Sequence, residues 1–358
     1  MLFNPTYPHH LDPLPPKADL KKPMFADLLL KARTELAELK GYSFSMPNPM
    51  LLISPAVMRE SVASSNIENI NTTIVDVLQN QLFPESEQSQ PDKEVLRYRD
   101  AILWGFENLK EFPVSTRLIV GIQNKLIPSS HGNYRKSQNQ IVNSTTKEVL
   151  YTPPEFLKIP DLISNWEKFV NDKEAEIDPL IKCAIAHYQF EAIHPFEDGN
   201  GRTGRILMVL GLIQDDVVTL PILYISGFIN NNRSEYYRLL RDVTIKGEWT
   251  SFIVFMLKGF YEQAKETKKT LFKIMKLYFE FKDDFKKNHK KIYSADLVDV
   301  IFSYPIITPV RMAKEMGLHY TTASRHLLKL TQSGFLKEQR YGKYHLFINE
   351  RLIKIMQK

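Results

Sequence analysis

Apolar residues recur every three to four positions along most of the chain, which is the spacing of one buried face of an α-helix. In the first such segment the shared face consists of Leu28, Leu29, Ala32, Leu36 and Leu39. The pattern predicts helices at 20–40, 54–62, 93–110, 114–127, 155–170, 178–193 and from 249 to about 285. We therefore expect a mainly α-helical protein, with Pro55 near the start of its helix, where proline is tolerated.

One short region changes this period. Residues 141–142 and 148–151 are strand-like segments on either side of a polar turn, and two prolines follow them. This pattern predicts a small β-hairpin within residues 138–152.

The C-terminal part has a pattern of its own. Helices are predicted at 295–302, 308–316 and 320–332, followed by strands at 334–338 and 344–348 around Gly342. This order resembles a winged helix-turn-helix, with 320–332 as the recognition-type helix and 339–343 as the wing.

The C-terminal part also differs from the rest of the chain in its charge. From Lys286 to the end, 14 Lys and Arg stand against 5 Asp and Glu, whereas the remainder carries 33 against 36. A basic module suggests an anionic partner. We weigh two roles for it, contact with DNA and protein docking or dimerisation, because the fold serves both.

Length and composition limit the possibilities further. A chain of 358 residues is long for one domain, so two or three are expected. The single cysteine, Cys183, excludes an internal disulfide, and its apolar helical setting favours a buried thiol. No apolar run approaches the length of a membrane span, and the N-terminus lacks a signal pattern, so we expect a cytoplasmic protein without a membrane partner.

The stretch from His194 to Arg205, with the sequence HPFEDGNGRTGR, carries the candidate chemistry. An apolar run follows it, so the order predicts a loop and then the start of a buried helix. Gly199 and Gly201 permit a tight turn whose N–H groups, at a helix N-terminus, bind anions. Arg202 and Arg205, three residues apart, have planar forks that match phosphate oxygens.

Three other residues of this stretch suggest roles. Asp198 offers a hard oxygen ligand suited to Mg²⁺, and His194 can accept a proton near neutral pH. Asn200 can either fix the loop or donate to a phosphate. Any of these residues alone could be structural, but their combination and order favour a phosphate-handling site.

The stretch resembles the signature of the Fic family, H-x-F-x-[D/E]-G-N-G-R-x-x-R, at every fixed position. The resemblance implies transfer of AMP from ATP to a hydroxyl side chain of a protein, with release of pyrophosphate. It implies that His194 deprotonates the hydroxyl and that Asp198 holds Mg²⁺. It also implies that residues 199–201 and Arg202 bind the phosphates and that Arg205 meets the γ-phosphate.

A second motif lies upstream, at Ser64, Glu68 and Asn69. On the residues alone, a capped helix with a surface glutamate is the favoured interpretation. This stretch resembles the Fic inhibitory motif [S/T]-x-x-x-E-[G/N], which implies that Glu68 pairs with Arg205 and holds the enzyme in a low-activity state.

The same resemblance assigns other parts of the chain. It implies that the hairpin at 138–152 receives the target protein, after a turn at 132–135 that resembles the G-x-[YF]-R pattern of the family. It makes Asn231, with Tyr236 or Tyr237, a candidate for closing the nucleotide pocket. His187 is interpreted as a packed helix residue, not a second base.

Together these observations predict a Fic-fold helical bundle with a hairpin flap and a C-terminal winged helix. The predicted parts are a helical region at 1–110 with an inhibitory helix at about 55–80, a catalytic core at 111–250, a connecting helix at 251–285 and the winged-helix domain at 286–358. A homodimer that buries part of the inhibitory region is a reasonable expectation.

The expected function is that of a self-inhibited, Mg²⁺-dependent protein adenylyltransferase. Two alternatives stay open. The same site could remove AMP from a target, with Glu68 orienting a water molecule, or the chain could be a DNA-bound regulator that senses nucleotide.

Overall fold

The structure is a computed structural model that describes residues 3–44, 48–143, 145–290 and 292–357. Ser144, in the predicted hairpin turn, lies outside the described residues. The described part is mainly helical, as predicted, and contains two small antiparallel sheets. No helix in these ranges is long and apolar enough to cross a bilayer.

Four helices and the turns between them form the N-terminal region. They are α1 (Ala26–Ser43), α2 (Met50–Ile67), α3 (Ile74–Asn80) and α4 (Gln90–Asn108). Ser89 caps α4 and Thr73 caps α3, each by accepting from an N–H in the first turn.

The predicted inhibitory helix at about 55–80 is wrong as a single element. Helix α2 ends at Ile67, and residues 68–73 form a turn in which Asn69 has a left-handed φ of 63°. Pro55 is not in the first turn, since α2 begins at Met50 and contains Pro55 in its interior. Burial of α2 on nearly all sides compensates for the main-chain hydrogen bond that this proline cannot make.

The central region consists of seven helices and the predicted hairpin. The described helices are α5 (Thr116–Leu126), α6 (Ile159–Asn171), α7 (Pro179–Ile193), α8 (Asn200–Gln214), α9 (Ile225–Asn231), α10 (Arg233–Lys246) and α11 (Trp249–Asn288). The hairpin, between α5 and α6, consists of β1 (Ile141–Val142) and β2 (Val149–Tyr151). Helix α7 is buried almost all round and packs against α6, α8 and α11. Cys183 lies on it and is buried, as predicted.

Helix α11 runs without a break for 40 residues. Its first half packs along α1 and against α7, α9 and α10, and its second half reaches the C-terminal region. The side chains that α11 buries continue through both halves, from Phe252 to Phe285. One helix therefore supplies core residues to both regions.

The C-terminal region has the order of elements expected for a winged helix. It consists of α12 (Ala295–Ser303), β3 (Ile306–Ile307), α13 (Pro309–Met316), α14 (Tyr320–Gln332), β4 (Lys337–Tyr341), β5 (Tyr344–Ile348) and α15 (Glu350–Met356). Strand β5 lies between β3 and β4. The predicted strand at 334–338 and wing at 339–343 are misplaced, because β4 extends to Tyr341 and leaves a tight turn at Gly342.

Candidate active site

The loop between α7 and α8 carries the signature motif and is fixed from inside. Phe196 is fully buried, and the Asn200 side chain accepts from its N–H and donates to its carbonyl, both at 2.8 Å. Asn200 thus fixes the loop, which was one of its two predicted roles. Helix α8 begins at Asn200, directly after Gly199 in a left-handed conformation with φ 79°.

Gln123 holds this loop from a neighbouring helix, and the sequence analysis missed it. Its Nε2 donates to the Asp198 carbonyl at 2.9 Å, and its Oε1 accepts from Thr203 at 3.0 Å. The detectable signal was a single amide on the otherwise apolar buried face of α5. Gln123 therefore fixes the main chain at the start of α8, where free N–H groups favour an anion.

His194 lies at the C-terminal end of α7 in a left-handed conformation with φ 50°. Its Nδ1 is 3.3 Å from the Glu191 carbonyl, and a proton on Nδ1 leaves the lone pair on Nε2. Burial lowers the pKa of His194 to about 4, so the imidazole is neutral at pH 7 and can accept a proton.

Arg135 connects the histidine loop to the hairpin. Its Nε donates to the His194 carbonyl at 3.0 Å, and its N–H donates to the Pro195 carbonyl at 2.9 Å. Its guanidinium also donates to the carbonyls of Ser137 and Pro154, which flank the hairpin. The hairpin and the candidate base are therefore held in a fixed relation.

The second motif arginine is paired with the upstream motif. Arg205 is buried, and its Nε donates to Ser64 Oγ at 2.7 Å. Its Nη2 donates to the Ser64 carbonyl at 3.0 Å and to Glu68 Oε1 at 2.7 Å. The structure thus brings Ser64 and Glu68 together with Arg205, which lies 141 and 137 residues further along the chain.

Both members of this pair are ionised. Burial alone would raise the pKa of Glu68, but the charge of Arg205 outweighs it and holds that pKa below its usual value. Burial alone would lower the pKa of Arg205, whereas the carboxylates of Glu68 and Glu191 raise it.

Glu68 also lies against the candidate anion site. A Cβ atom on Gly201 would be 2.4 Å from Glu68 Oε1 and 2.9 Å from Arg205 Nη1. Only a glycine lets the carboxylate approach the main chain this closely. The start of α8 therefore already has an anionic group beside it.

Arg202 turns toward different carboxylates. It is 3% exposed, and its guanidinium lies 2.9 Å from Glu94 and 3.6 Å from Asp198. Its Nε is buried without a hydrogen-bond partner among the described residues, which leaves a donor for a ligand. The Asp198 side chain is 75% exposed and open to a metal ion.

The residues on α9 and α10 that are candidates for closing the nucleotide pocket differ in solvent exposure. Tyr236 is buried, and its hydroxyl is 2.8 Å from Nε2 of the buried His187, which is a packed helix residue as predicted. Tyr237 is 45% exposed, and Asn231 is exposed at the end of α9. Asn69 accepts from Arg233 at 3.0 Å and so links the upstream motif to the start of α10.

Two buried glutamates also lie near this site, and the sequence did not reveal them. Glu60 accepts from the Tyr98 hydroxyl and the Ser226 N–H, each at 3.0 Å. Burial raises the pKa of Glu191 to about 7, and its Oε1 has no hydrogen-bond partner among the described residues. The hydrogen-bond partners of Glu60 come from distant parts of the chain, so spacing along the sequence carries no signal for it.

Three family models match the chain. "Fic/DOC family N-terminal" matches residues 26–107, and "Fic/DOC family" matches residues 113–212. "Protein adenylyltransferase SoFic-like, C-terminal domain" matches residues 277–352. Together they extend over all three regions of the structure.

Curated relatives are similar over parts of the chain. A protein of Aquifex aeolicus with the name "Probable protein adenylyltransferase" is 31% identical over 166 residues, which are 45% of this chain and 42% of that one. Protein adenylyltransferase fic-1 of Caenorhabditis elegans is 34% identical over 115 residues, which are 30% of this chain and 20% of that one. The chain thus spans less than half the length of these two relatives.

Solved structures share the fold. A Fic family protein from Desulfovibrio desulfuricans has a TM-score of 0.56 at 18% identity, over 90% of this chain and 95% of that one. A Fic domain containing signaling protein from Bacteroides thetaiotaomicron has the same TM-score and identity, over 70% of this chain and 97% of that one.

Proposed function

Because this chain belongs to the Fic/DOC family, we propose that it is a protein adenylyltransferase that transfers AMP from ATP to a hydroxyl side chain of a target protein or of itself. The observation that carries the proposal is a neutral His194 beside a glycine turn at the start of a 15-residue buried helix. A base next to an anion site is the arrangement that this reaction needs.

We assign the roles that the family resemblance implies, and the geometry of the site supports them. His194 Nε2 takes the proton of the target hydroxyl, and the hydroxyl oxygen forms a bond to the α-phosphorus. The bond from that phosphorus to the bridging oxygen breaks, and pyrophosphate leaves. The main chain at 199–201 and Arg202 bind the phosphates, while Arg205 meets the γ-phosphate once it is free.

Asp198 fits a role in holding Mg²⁺. The described residues contain no cluster of three or more His, Cys, Asp or Glu, but Mg²⁺ is often bound by one or two carboxylates together with substrate phosphates. An exposed carboxylate beside the anion site suits that mode. Bound there, the ion would neutralise charge on the phosphates.

Self-inhibition is part of the proposal. Glu68 pairs with Arg205 and lies against Gly201, so its carboxylate competes for the groups that the γ-phosphate needs. Since Ser64 also binds Arg205, the guanidinium is held away from ATP by two residues of the N-terminal region. The chain is then a low-activity enzyme until this contact opens.

Accessibility favours one tyrosine for the adenine edge of the pocket. Tyr237 and Asn231 are exposed, whereas Tyr236 is buried with its hydroxyl next to His187. We therefore assign Tyr237 and Asn231 to the nucleotide and Tyr236 to positioning.

The hairpin suits a target segment that adds as a further strand. In the part of the chain that the structure describes, the sheet of the hairpin consists of β1 and β2, and Val142 and Leu150 are 45% and 41% exposed on it. Main-chain pairing of this kind orients a hydroxyl without reading much sequence.

The test is incorporation of α-labelled AMP from ATP into the protein, compared for wild type, Glu68→Gly and Glu68→Gly combined with His194→Ala. We expect labelling to rise about tenfold or more in the first variant, because a pair worth about 1.4 kcal/mol shifts an equilibrium tenfold. Labelling should vanish in the double variant.

Glu174→Gly is the matched control, since Glu174 is exposed in the loop before α7. It should label like wild type. Absence of label from all variants, with ATP shown to bind, would count against AMP transfer to the protein itself and favour AMP removal or nucleotide sensing.

A further inference from the structure

The turn between β4 and β5, at residues 341–344, contacts the N-terminal region; we name it the wing tip. Phe83 is 6% exposed and stacks on Tyr344 at 4.4 Å and on Tyr341 at 5.3 Å between ring centroids. Glu87 lies 2.8 Å from Lys343 Nζ and accepts from the Tyr344 hydroxyl at 2.9 Å. Hydrogen bonds from Lys343 and Tyr344 lower the pKa of Glu87.

The partner of the wing tip is the loop at 83–87, with the sequence FPESE, which we name the acidic loop. It lies between α3 and α4, and α3 separates it from the turn that carries Glu68. Asp92, buried in the first turn of α4, accepts from Thr72 and from Asn80. Both ends of α3 are thus tied to the carboxylate of Asp92. Thr72, just before α3, follows Glu68 by only four residues.

A second contact with the C-terminal region lies at the start of α2, the helix that carries Ser64 and leads to Glu68. Helix α12 packs on α2, and the side chain of Asn48, just before α2, donates to Asp299 on α12 at 3.2 Å. A cavity of about 490 Å³ lies between this contact and the wing tip, lined by α2, by residues of the α3–α4 region and by the C-terminal region. The interface is therefore hollow, and it depends on separate contacts at its edges.

We propose that the wing tip is a docking surface for the acidic loop and that this contact keeps Glu68 on Arg205. The inference rests on the proposed self-inhibition. It gives the C-terminal region a role in regulation, because undocking the wing tip releases the segment that follows Glu68.

The same contact argues against nucleic acid as the partner of the wing tip. The wing tip offers the rings and the charge that binding to a nucleic acid would need, in Tyr341, Lys343 and Tyr344. All three side chains already contact Phe83 or Glu87. An acidic, aromatic protein segment fits this surface by both charge and shape.

Charge reversal in the whole 358-residue chain tests the docking. Glu87→Lys or Lys343→Glu turns the attraction into repulsion, and the swap of both residues restores it. Nitroxide labels on cysteines introduced at Glu111 and Gln332, both exposed, report the distance between the two regions, while the buried Cys183 stays unlabelled. We expect a broader distance distribution in each single variant and the wild-type distribution in the swap.

AMP incorporation tests the regulatory consequence. Each single variant should label about two- to fivefold more than wild type, since a partly exposed ion pair contributes little by itself. Tyr344→Ala should label more strongly still, and the swap should return to the wild-type level. Tyr320→Ala is the matched control, because Tyr320 is a half-exposed aromatic of the same region, located on α14.

Each failure has a distinct meaning. If a reversal leaves the distances unchanged, or if the swap does not restore them, the docking surface is wrong. If the regions separate while labelling stays at the wild-type level and Glu68→Gly still raises it, the regulatory role is wrong and the proposed function stands. If Glu68→Gly gives no rise, self-inhibition fails and the regulatory role fails with it. Binding of a labelled DNA duplex that Lys343→Glu weakens would overturn docking in favour of nucleic acid.

Discussion

Arg205 is shared by two carboxylates that differ in ionisation. Glu68 forms the direct ion pair, whereas Glu191 lies in the same buried region without a hydrogen-bond partner for its Oε1 among the described residues. Burial raises the pKa of Glu191 to about 7; the charge of Arg205 opposes this rise, and that of Glu68 adds to it. One buried cation thus keeps one glutamate charged while the second binds a proton up to neutral pH.

This difference predicts a pH-dependent effect of Glu191→Gln on stability. The folded-state pKa of about 7 lies above the ordinary value of 4.5, so the native state binds the proton more tightly than the unfolded state. Wild type therefore loses stability as the pH rises from about 4.5 through 7, and the amide does not. We compare the free energy of unfolding of Glu191→Gln with that of wild type at each pH. We expect this difference to favour the variant by about 2 kcal/mol more at pH 8 than at pH 5.

Denaturant unfolding at the two pH values measures this gain. Glu197→Gln, which alters an exposed glutamate, is the control and should shift neither midpoint by much. An equal effect of Glu191→Gln at pH 5 and pH 8 would show that Glu191 is ionised in the native state.

The sequence was informative for residues whose chemistry is local. The turn of the motif and the start of helix α8 directly after it follow from spacing within twelve positions, whereas the structure turns the two motif arginines toward different carboxylates. Gln123 and Glu60 could not be predicted, because each is defined by a partner from another helix. Glu191 was missed because its surroundings, which include Arg205 and Glu68, are brought together only by the fold. Even the pairing of Glu68 with Arg205 came from family resemblance, since the residues alone favoured a surface glutamate.

At the scale of elements, helix α2 shows how packing overrides local signals. The sequence predicted 54–62, whereas burial on nearly all sides extends the helix to Met50–Ile67 and through Pro55. The end at Ile67 had a readable signal downstream. Thr73 followed by Asp76 is a helix-start pattern, and Thr73 does cap α3.

Glu60 anchors α2 to its neighbours and so positions the inhibitory end of the helix. Its carboxylate accepts from Tyr98 on α4 and from Ser226 on α9. Tyr98→Phe removes one donor from a buried carboxyl group, so we expect the free energy of unfolding to fall by about 1–3 kcal/mol.

The midpoint of denaturant unfolding checks this expectation. Tyr7→Phe is the matched control, because Tyr7 is 69% exposed, and it should unfold like wild type. Equal midpoints for both variants would mean that Tyr98 contributes nothing to the anchoring of Glu60.

For the whole molecule, the predicted boundary at 285–286 divides a continuous core. The second half of α11 buries Tyr278 and Phe281 against Phe302 and Phe335 of the C-terminal region. Spacing along the sequence predicted helix α11. It could not show that α11 contributes to the cores of two regions, because only the packed structure shows which elements cover each half.

A chain ended after Asn288 should therefore be poorly soluble. It exposes the apolar side chains that the C-terminal region covers on α11, and such patches promote association. Analytical sedimentation of the shortened chain should show aggregates. Phe281→Lys with Phe285→Lys in the same shortened chain should restore a monodisperse species, and a soluble shortened chain without these changes would contradict the shared core.

The length of α11 has a mechanical consequence. At 1.5 Å per residue, 40 residues form a rod of about 60 Å, with the central region along one end and the C-terminal region along the other. A tilt of about 5° at one end of such a rod displaces the other end by about 5 Å. A small rotation of α11 at one end would therefore displace its other end by more than the length of a hydrogen bond.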